Sequence, residues 1–405
     1  MTALAVLLLG LGVTAASPPD PSGHWRAALD LAGGPLRFAL ELEPTADGWA
    51  ATLCNGTACS DAGPARLEGD SLIVQLVDFD ARIAARIRGD SLSGMYSNVG
   101  NRGPRVIPFR ASRGTWPVSA LSAGLAGQWD ATLVTDGRTS PRIFIFEQGP
   151  AGPRGAVVSN TGDYGEFGGI ASGDSVVLSH FDGSFVYMIT AALSGDTLRG
   201  TFHAGLRTQT PFTAVRSSGT AHLREPTAMT AADTTERFRF AFPDLAGNLV
   251  TSDDPRFAGK VVLVDVFGTW CSTCHYAAPI LAGFQREYGP RGLAIVGLAY
   301  EVTGDTAIDG ALVRRYRDKF QLPFPLLLAG VGIAELAAET LPQLRGFTAF
   351  PTTIFLGRDG RVRRVHAGFY GPATGAMHQR QVAEFRSLIE ELLAEVAPPE
   401  ASPPQ

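Results

Sequence analysis

The alternation of apolar and polar residues changes in character near residue 236. From Gly23 to Arg216, short runs alternate with a period of two and are separated by Gly, Asp, Ser and Asn, a pattern typical of antiparallel strands in sandwiches or barrels. From Phe238 onward, longer apolar runs alternate with segments of helical period, as in a mostly parallel sheet covered by helices. We therefore expect an all-β region, a linker at 218–236 and an α/β domain at 237–396.

The all-β region contains one unit twice. Its motifs recur about 104 residues further along the chain. The matching sites are Gly23-His24-Trp25 and Gly127-Gln128-Trp129, Gly69-Asp70-Ser71 and Gly173-Asp174-Ser175, and Phe79-Asp80 and Phe181-Asp182. Each copy has room for about eight short strands. This tandem duplication predicts two small antiparallel barrels or sandwiches, one at 20–114 and one at 124–217.

Each unit opens with Gly-x-Trp and closes with a strand that ends in arginine, at Arg113 or Arg216. This combination resembles the lipocalin-like calycin barrels, in which an arginine packs over that tryptophan. The resemblance implies cation–π contacts of Trp25 with Arg113 and of Trp129 with Arg216. Tryptophans that are plain core residues are the alternative. Such barrels bind a small apolar ligand or are filled by their own side chains, so we expect a binding or spacing module with a possible small apolar ligand.

The N-terminus has the features of a secretory signal. Ala3 to Val13 is an apolar run too short to span a bilayer, and small residues and then Pro18 follow it. We expect a signal peptide at 1–16 and an exported protein, periplasmic or extracytoplasmic, that is soluble after cleavage. An uncleaved apolar tail is the alternative. At the other end, the Pro-rich residues 397–405 should be a disordered tail.

Composition restricts the classes of function. The chain has 45% hydrophobic and 18% charged residues and a formal net charge of −5, which fits a globular protein and not a membrane bundle. No basic stripe is present, so we expect no nucleic-acid partner.

Two of the four cysteines lie in the first β unit. Cys54 and Cys59 flank Asn55 and Gly56, and in an exported chain we expect them to form a structural disulfide across a tight hairpin. A second redox pair is the alternative, although neither a buried strand nor a helix start precedes these cysteines.

The other two cysteines follow a predicted buried strand, Val261 to Val266, and a short turn. Cys271 and Cys274 are three positions apart at an expected helix start, the spacing of a redox-active disulfide. The unpaired N–H groups of the first helical turn and the helix dipole favour a thiolate at Cys271. We therefore expect an outward-facing sulfur at Cys271 that reacts with disulfides, and neither a cofactor nor a metal ion.

Several segments of the C-terminal region together resemble one enzyme family. They are DLAGN at 244–248, GKVVLVDVFGTWCSTC at 259–274, GLAIVGLAY at 292–300 and FPTTIFLGRDGRV at 350–362. They are similar to exported thioredoxin-fold oxidoreductases of the TlpA and ResA type. The resemblance implies a multidomain protein in which an α/β thioredoxin-like domain follows the duplicated all-β module. It also implies a cis bond at Pro351 and a substrate groove formed with Trp270, Phe350 and Thr352.

The family resemblance also implies a mechanism. Cys271 attacks a partner disulfide and Cys274 resolves the mixed disulfide, or the same steps run in reverse. Asp265 stands where thioredoxins keep a buried acid that carries the proton of the resolving cysteine; an aspartate that caps a neighbouring backbone group is the alternative. The expected partners are protein dithiols or disulfides and an upstream electron donor or acceptor. Ser272 and Thr273, between the cysteines, leave the direction of the reaction open.

Three other functions compete for the same residues. The segment CSTCH matches the attachment pattern of c-type haem, with His275 as axial ligand, although a redox helix packed on a sheet leaves no cavity for a macrocycle. A copper carrier would use both cysteines and a distant histidine such as His366. A thiol peroxidase shares the fold, but its usual proline and threonine are Val264 and Gly268 here. For the dithiol function we expect His275 to be an exposed helix residue.

Overall fold

The computed structural model describes residues 19–100, 103–218 and 222–395. The predicted signal peptide at 1–16 and the predicted tail at 397–405 lie outside the described residues. The all-β module and the α/β domain are both present, so the predicted fold class is confirmed. Among the described residues, no helix combines the length and apolarity needed to cross a bilayer.

The first β unit is a closed barrel of eight antiparallel strands in sequence order. They are β1 Gly23–Leu31, β2 Gly34–Thr45, β3 Gly48–Asn55, β4 Ala58–Glu68, β5 Ser71–Leu76, β6 Ala81–Arg88, β7 Ser91–Gly100 and β8 Gly103–Arg113. A short 3₁₀ turn at Val77–Phe79 separates β5 from β6. Closure of the barrel leaves this sheet without a free edge.

The second unit repeats this closed eight-stranded arrangement. Its strands are β9 Gly127–Thr135, β10 Arg138–Gly149, β11 Gly152–Ser159, β12 Gly162–Ser172, β13 Ser175–Phe181, β14 Val186–Ser194, β15 Thr197–Ala204 and β16 Thr208–Arg216. The two units therefore share both their sequence motifs and their strand topology.

The closing strand pair of each barrel places an arginine opposite a tryptophan. β8 pairs with β1 so that Arg113 faces Trp25, and its guanidinium carbon lies 4.4 Å from the ring centroid. β16 pairs with β9 in the same register, and Arg216 lies 4.1 Å from the Trp129 ring centroid. The predicted cation–π contacts are thus present in both barrels.

The interiors of both barrels are occupied by buried apolar side chains. The two cores are not separate, because Phe181 and Val186 of the second barrel are buried in the apolar cluster of the first. The Phe181 ring centroid lies 4.8 Å from that of Phe38 and 5.2 Å from that of Tyr96. The barrels therefore form one packed body, the barrel pair (residues 23–216). A small apolar ligand of this module stays a prediction.

A disulfide joins Cys54 to Cys59 across the β3–β4 hairpin, and the turn of that hairpin contacts the second barrel. The Asn55 side chain donates to the Phe181 carbonyl oxygen and accepts from the Phe181 N–H, each at 2.9 Å. The Glu166 carboxylate accepts from the Thr57 N–H at 2.6 Å. The disulfide thus closes the hairpin that holds the barrels together.

The α/β domain has a five-stranded sheet in the order β22, β21, β20, β24, β25. The domain also has two short two-stranded sheets, β17 with β23 and β18 with β19. Its elements are β17 Ala231–Ala232, β18 Ala241–Pro243, β19 Leu249–Thr251, β20 Val261–Phe267, α1 Ser272–Tyr288, β21 Leu293–Glu301, α2 Thr306–Phe320, β22 Leu326–Val331, α3 Ala334–Thr340, β23 Leu344–Arg345, β24 Thr352–Leu356, β25 Val362–Ala367 and α4 Ala376–Ala394. β20, β21 and β22 run parallel, and β24 and β25 are antiparallel to their neighbours.

Both faces of this sheet are covered. One apolar cluster contains residues of α1, α2 and α4, and the other contains α3 and the phenylalanines Phe238, Phe240 and Phe257. All seven residues of β20 are buried, which explains its nearly uninterrupted apolar sequence. Asp265 is the one polar residue of β20, and it is buried like the others.

Substitution Asn55→Ala tests the joint between the barrels. It leaves the buried N–H and carbonyl groups of Phe181 without partners, so we expect a loss of about 1–3 kcal/mol in unfolding free energy. The measurement is urea unfolding followed by fluorescence. Gln209→Ala, at an exposed position of the second barrel, is the control and should change stability by less than about 0.5 kcal/mol. Equal urea midpoints for Asn55→Ala and Gln209→Ala would show that the Asn55 side chain does not stabilise the contact between the barrels.

Candidate redox site

The two C-terminal cysteines lie where the buried strand β20 gives way to helix α1. Cys271 is the N-cap residue, with extended backbone angles of φ −92° and ψ 114°. The Cys274 backbone N–H points at the Cys271 sulfur at 3.3 Å, and both cysteines are free thiols. An N–H group and the positive end of a helix dipole favour negative charge on that sulfur.

The loop before β24 lies against the same sulfur. Its Phe350–Pro351 peptide bond is cis. The Phe350 carbonyl oxygen accepts from the Cys271 thiol and from the Thr273 hydroxyl, each at 3.4 Å. The structure thus brings Cys271 and the cis proline together, although they are 80 positions apart in the sequence.

The three residues predicted to shape a groove flank this contact. Trp270 packs edge-on against Phe350, with ring centroids 5.3 Å apart, and its indole N–H donates to the Tyr300 carbonyl oxygen at 2.8 Å. Thr352 is fully buried and donates to the Ala349 carbonyl oxygen at 2.8 Å. Trp270 and Phe350 therefore form the side of the site next to Cys271, whereas Thr352 fixes the backbone of the proline loop.

Cys274 is the deeper of the two thiols. Only 1% of its surface is exposed, and burial, together with the neighbouring Cys271, raises its pKa well above the ordinary value for cysteine. The Tyr316 hydroxyl donates to the Cys274 carbonyl oxygen at 2.8 Å. Cys274 is therefore a protonated thiol held in place beneath Cys271.

Asp265 lies in the centre of the sheet, opposite Gly297 of β21 and Thr353 of β24. Burial raises its pKa to about 7. Its Oδ1 has no hydrogen-bond partner among the described residues, and its charge contributes to the raised pKa of Cys274. A carboxyl group in this setting can exchange a proton near neutral pH.

Sequence reasoning missed a second buried acid, Glu301, which is 1% exposed. Its carboxylate accepts from the Thr269 N–H at 2.8 Å and from the Thr269 hydroxyl at 2.6 Å. Burial raises its pKa to about 7. The one signal in the sequence is an acid that ends the apolar run of β21, and only the fold shows that it meets the turn before Cys271.

His275 contacts the same turn from the helix. Its Nε2 lies 2.7 Å from the Thr269 carbonyl oxygen, which can only accept, so Nε2 carries the hydrogen. Burial lowers the pKa of His275. The prediction of an exposed His275 is wrong, because its ring is half-buried and stacks on Phe79 of the first barrel with centroids 5.3 Å apart.

The prediction of an outward-facing Cys271 is also wrong for the intact chain. Only 5% of its surface is exposed, and the start of β12 in the second barrel packs beside this region, where a Cβ on Gly162 would lie 3.6 Å from the Thr273 methyl carbon. The Asp163 N–H donates to the Phe369 carbonyl oxygen at 3.3 Å. This contact joins backbone atoms of two domains, so neither domain's pattern of side chains predicts it.

The second barrel also brings buried charged groups towards helix α1. His180 Nε2 lies 3.7 Å from Asp182 Oδ2, and its Nδ1 lies 2.8 Å from the Glu166 carbonyl oxygen. Burial lowers the pKa of His180, but the nearby Asp182 carboxylate and the Glu166 carbonyl oxygen outweigh this effect and the net pKa is raised. Burial raises the pKa of Asp163 to about 7. No sequence motif pointed to these residues.

Metal-binding alternatives gain no support from these positions. Within 19–100, 103–218 and 222–395, no cluster of three or more His, Cys, Asp or Glu side chains is placed to hold a metal ion. His366, the histidine considered for copper, is buried in β25 with Nδ1 3.2 Å from the Gly368 carbonyl oxygen.

Comparisons with known proteins concern the C-terminal domain. Residues 229–375 match the Redoxin family model. The thiol-disulfide oxidoreductase ResA of Halalkalibacterium halodurans is 26% identical over 152 residues, which are 37% of this chain and 73% of that protein. The thioredoxin-like protein YneN of Bacillus subtilis is 28% identical over 129 residues, which are 32% of this chain and 68% of that protein.

Among solved structures, a thiol:disulfide interchange protein of Chlorobium tepidum aligns with 22% identity and a TM-score of 0.31, and the alignment covers 40% of this chain and 99% of that one. The family match and the two relatives confirm the prediction of a thioredoxin-like oxidoreductase domain.

Substitution of Glu301 tests how the turn before Cys271 is held. Glu301→Ala leaves two buried donors of Thr269 unpaired, so we expect a loss of about 2–4 kcal/mol in unfolding free energy. Glu301→Gln keeps one carbonyl oxygen as acceptor and should lose about half as much. The measurement is urea unfolding, with the exposed Glu335→Ala as control. Alanine and glutamine variants as stable as this control would refute the role of Glu301.

Proposed function

We propose that this chain, whose C-terminal part is a thioredoxin-like oxidoreductase domain related to the Redoxin family, exchanges dithiols and disulfides with protein partners through Cys271 and Cys274. One observation carries the proposal. A helix N-terminus and a backbone N–H meet the Cys271 sulfur, and the cis-proline loop lies beside it, an arrangement that places an attacking sulfur next to a bound chain.

The reaction has two steps. The Cys271 thiolate attacks one sulfur of a partner disulfide, so that a mixed disulfide forms and the other partner sulfur leaves as a thiolate. Cys274 then loses its proton and attacks the Cys271 sulfur. This releases the second partner sulfur and leaves a Cys271–Cys274 disulfide, while the partner has gained two electrons. An upstream electron donor restores the dithiol; the reverse sequence oxidises a partner dithiol and needs an acceptor.

Asp265 is the proposed proton carrier in the second step. Cys274 is buried and its pKa is raised by burial, so it needs a base to become a thiolate. Asp265 contributes to that raised pKa, and its own pKa is raised to about 7 by burial. Near neutral pH such a carboxyl group can take the proton and release it again.

We also propose that the chain acts outside the cytoplasm. The support is the apolar run from Ala3 to Val13 and the disulfide between Cys54 and Cys59. Structural disulfides persist in oxidising compartments and are uncommon in the cytosol. Proteins that fold there carry the disulfides that this dithiol would act on.

Serine substitutions of the two cysteines test the mechanism. With Cys274→Ser the mixed disulfide cannot be resolved, so a protein substrate such as insulin should remain attached to Cys271. Cys271→Ser should give no adduct and no turnover. Mass spectrometry under non-reducing conditions separates the two results. An adduct formed by both variants, or by neither, would contradict the assignment of attacking and resolving cysteines.

Asp265→Asn tests the proton carrier. In the native chain the carboxylate form accepts the Cys274 proton, so the rate of resolution should rise as pH increases through about 7. The asparagine variant should resolve the mixed disulfide about 100-fold more slowly and lack that rise. Single-turnover rates between pH 5 and about pH 9 measure both effects. An unchanged pH profile would assign the proton to another group.

The same substitution has a defined effect on stability. Because the folded-state pKa of Asp265 lies above the ordinary value of about 3.9, the folded chain binds the extra proton and loses stability as pH rises towards about 7. Asp265→Asn removes this loss. The unfolding free energy of Asp265→Asn, relative to that of the native chain, should therefore be greater above about pH 7, the folded-state pKa, than at about pH 4, the ordinary pKa.

A further inference from the structure

We propose that the barrel pair and a client protein compete for one surface of the redox domain, and that β12 must leave this surface before a client disulfide reaches Cys271. The docking face consists of Cys271, Thr273, His275 and Phe369. The inference rests on the proposed function, because it names what regulates access to that site.

The first observation is the position of the β12 start. The Asp163 N–H donates to the Phe369 carbonyl oxygen at 3.3 Å, and the Gly368 N–H donates to the Pro351 carbonyl oxygen at 2.7 Å. A strand of the second barrel is therefore bonded to the segment that is itself bonded to the cis proline. An extended client chain that approaches Cys271 along this loop needs the same backbone groups.

The contact leaves no space for a second chain. A Cβ atom on Gly162 would lie 2.7 Å from the Phe369 carbonyl oxygen and 3.6 Å from the Thr273 methyl carbon. The Thr273 hydroxyl in turn lies 3.2 Å from the Cys271 sulfur. In this arrangement Cys271 is 5% exposed, and β12 lies on the side of Thr273 and Phe369 from which a client chain would approach its sulfur.

The first barrel contacts the docking face at His275. The Phe79 ring stacks on His275 of α1 at 5.3 Å. It also contacts Gly183 of the second barrel, where a Cβ would lie 3.0 Å from the Phe79 ring. Asp78 forms an ion pair with Lys319 of α2. Both barrels therefore dock on the redox domain together.

The interface also contains a polar group that is poorly satisfied. Asp163 is buried, and the backbone N–H groups of Gly371 and Gly165 lie near its carboxylate, but neither oxygen meets a donor in good hydrogen-bond geometry among the described residues. A buried polar group without a partner costs free energy that is recovered when water reaches it. The contact is thus weaker than its apolar packing alone would make it, as suits an interface that opens and closes.

The test measures how fast Cys271 reacts in the full chain. The reduced protein is treated with iodoacetamide, labelling of Cys271 is followed by peptide mass spectrometry, and reduction of insulin is followed in parallel. Phe79→Ala removes the stack on His275 and should raise both rates about tenfold. Asp78→Lys places like charges together and should raise both rates about threefold.

Two matched variants separate opening from damage to the barrel. Lys319→Asp added to Asp78→Lys restores an ion pair of reversed polarity and should return both rates to those of the native chain. Met95→Ala alters an exposed apolar residue of the same barrel and should change neither rate.

The outcomes distinguish this inference from the proposed function. Labelling of Cys271 that is equally fast in the native chain and in Phe79→Ala would overturn the competition, whether or not insulin is reduced. Labelling that accelerates as expected while no variant reduces insulin would support the docked barrel pair and refute the proposed function. Failure of the reversed ion pair to slow labelling would overturn the part assigned to Asp78 and Lys319.

Discussion

The redox site depends on one buried set of hydrogen bonds at the end of β20. The Glu301 carboxylate binds the N–H and hydroxyl of Thr269, and His275 binds the carbonyl of the same residue. These bonds fix the turn that sets Cys271 at the N-cap of α1. Since the cis-proline loop meets the Cys271 sulfur only in that position, a shift of the turn would separate the helix, the thiol and the loop. Burial of the turn makes its bonds costly to break.

Burial also sets the protonation of the site. Asp265 and Glu301 lie in apolar surroundings, and in each case loss of water is the largest cause of a pKa near 7. The two acids differ in their contacts. Glu301 is fully engaged by Thr269, whereas Asp265 has an oxygen without a partner. Asp265, whose carboxyl group has a free oxygen, is suited to proton transfer, whereas Glu301, which is hydrogen-bonded to Thr269, is suited to positioning the turn. The two acids thus have similar pKa values but different roles.

Sequence patterns predicted the fold well and the site in part. Period-two alternation, recurrent Gly-x-Trp and terminal arginines indicated two small β units, and closure placed Arg113 on Trp25. The spacing of Cys271 and Cys274 and the distant FPTT segment indicated the redox pair and its loop. The sequence did not predict the contacts of Glu301 and His180, because each depends on how strands and turns are arranged in the fold. A lone acid or histidine has no periodic signal that would reveal such a contact.

The contact between the barrel pair and the start of α1 could not be predicted because it depends on how separate domains pack. Each domain alone has a pattern that its own sequence determines, but the contact of β12 with Phe369 uses backbone atoms, which every sequence provides. The two copies of the Phe-Asp motif show the same limit. Phe79 packs outward on His275, whereas Phe181 enters the core of the other barrel, although an aspartate follows each of them.

The position of Phe181 has an evolutionary consequence. A duplicated unit normally keeps a complete interior, so that either copy can be deleted or exchanged by recombination. Here the second copy supplies an aromatic ring to the interior of the first. Removal of residues 127–216 would leave a hole the size of that ring beside Phe38 and Tyr96. The first barrel is therefore incomplete without the second, and substitutions in one are constrained by the packing of both.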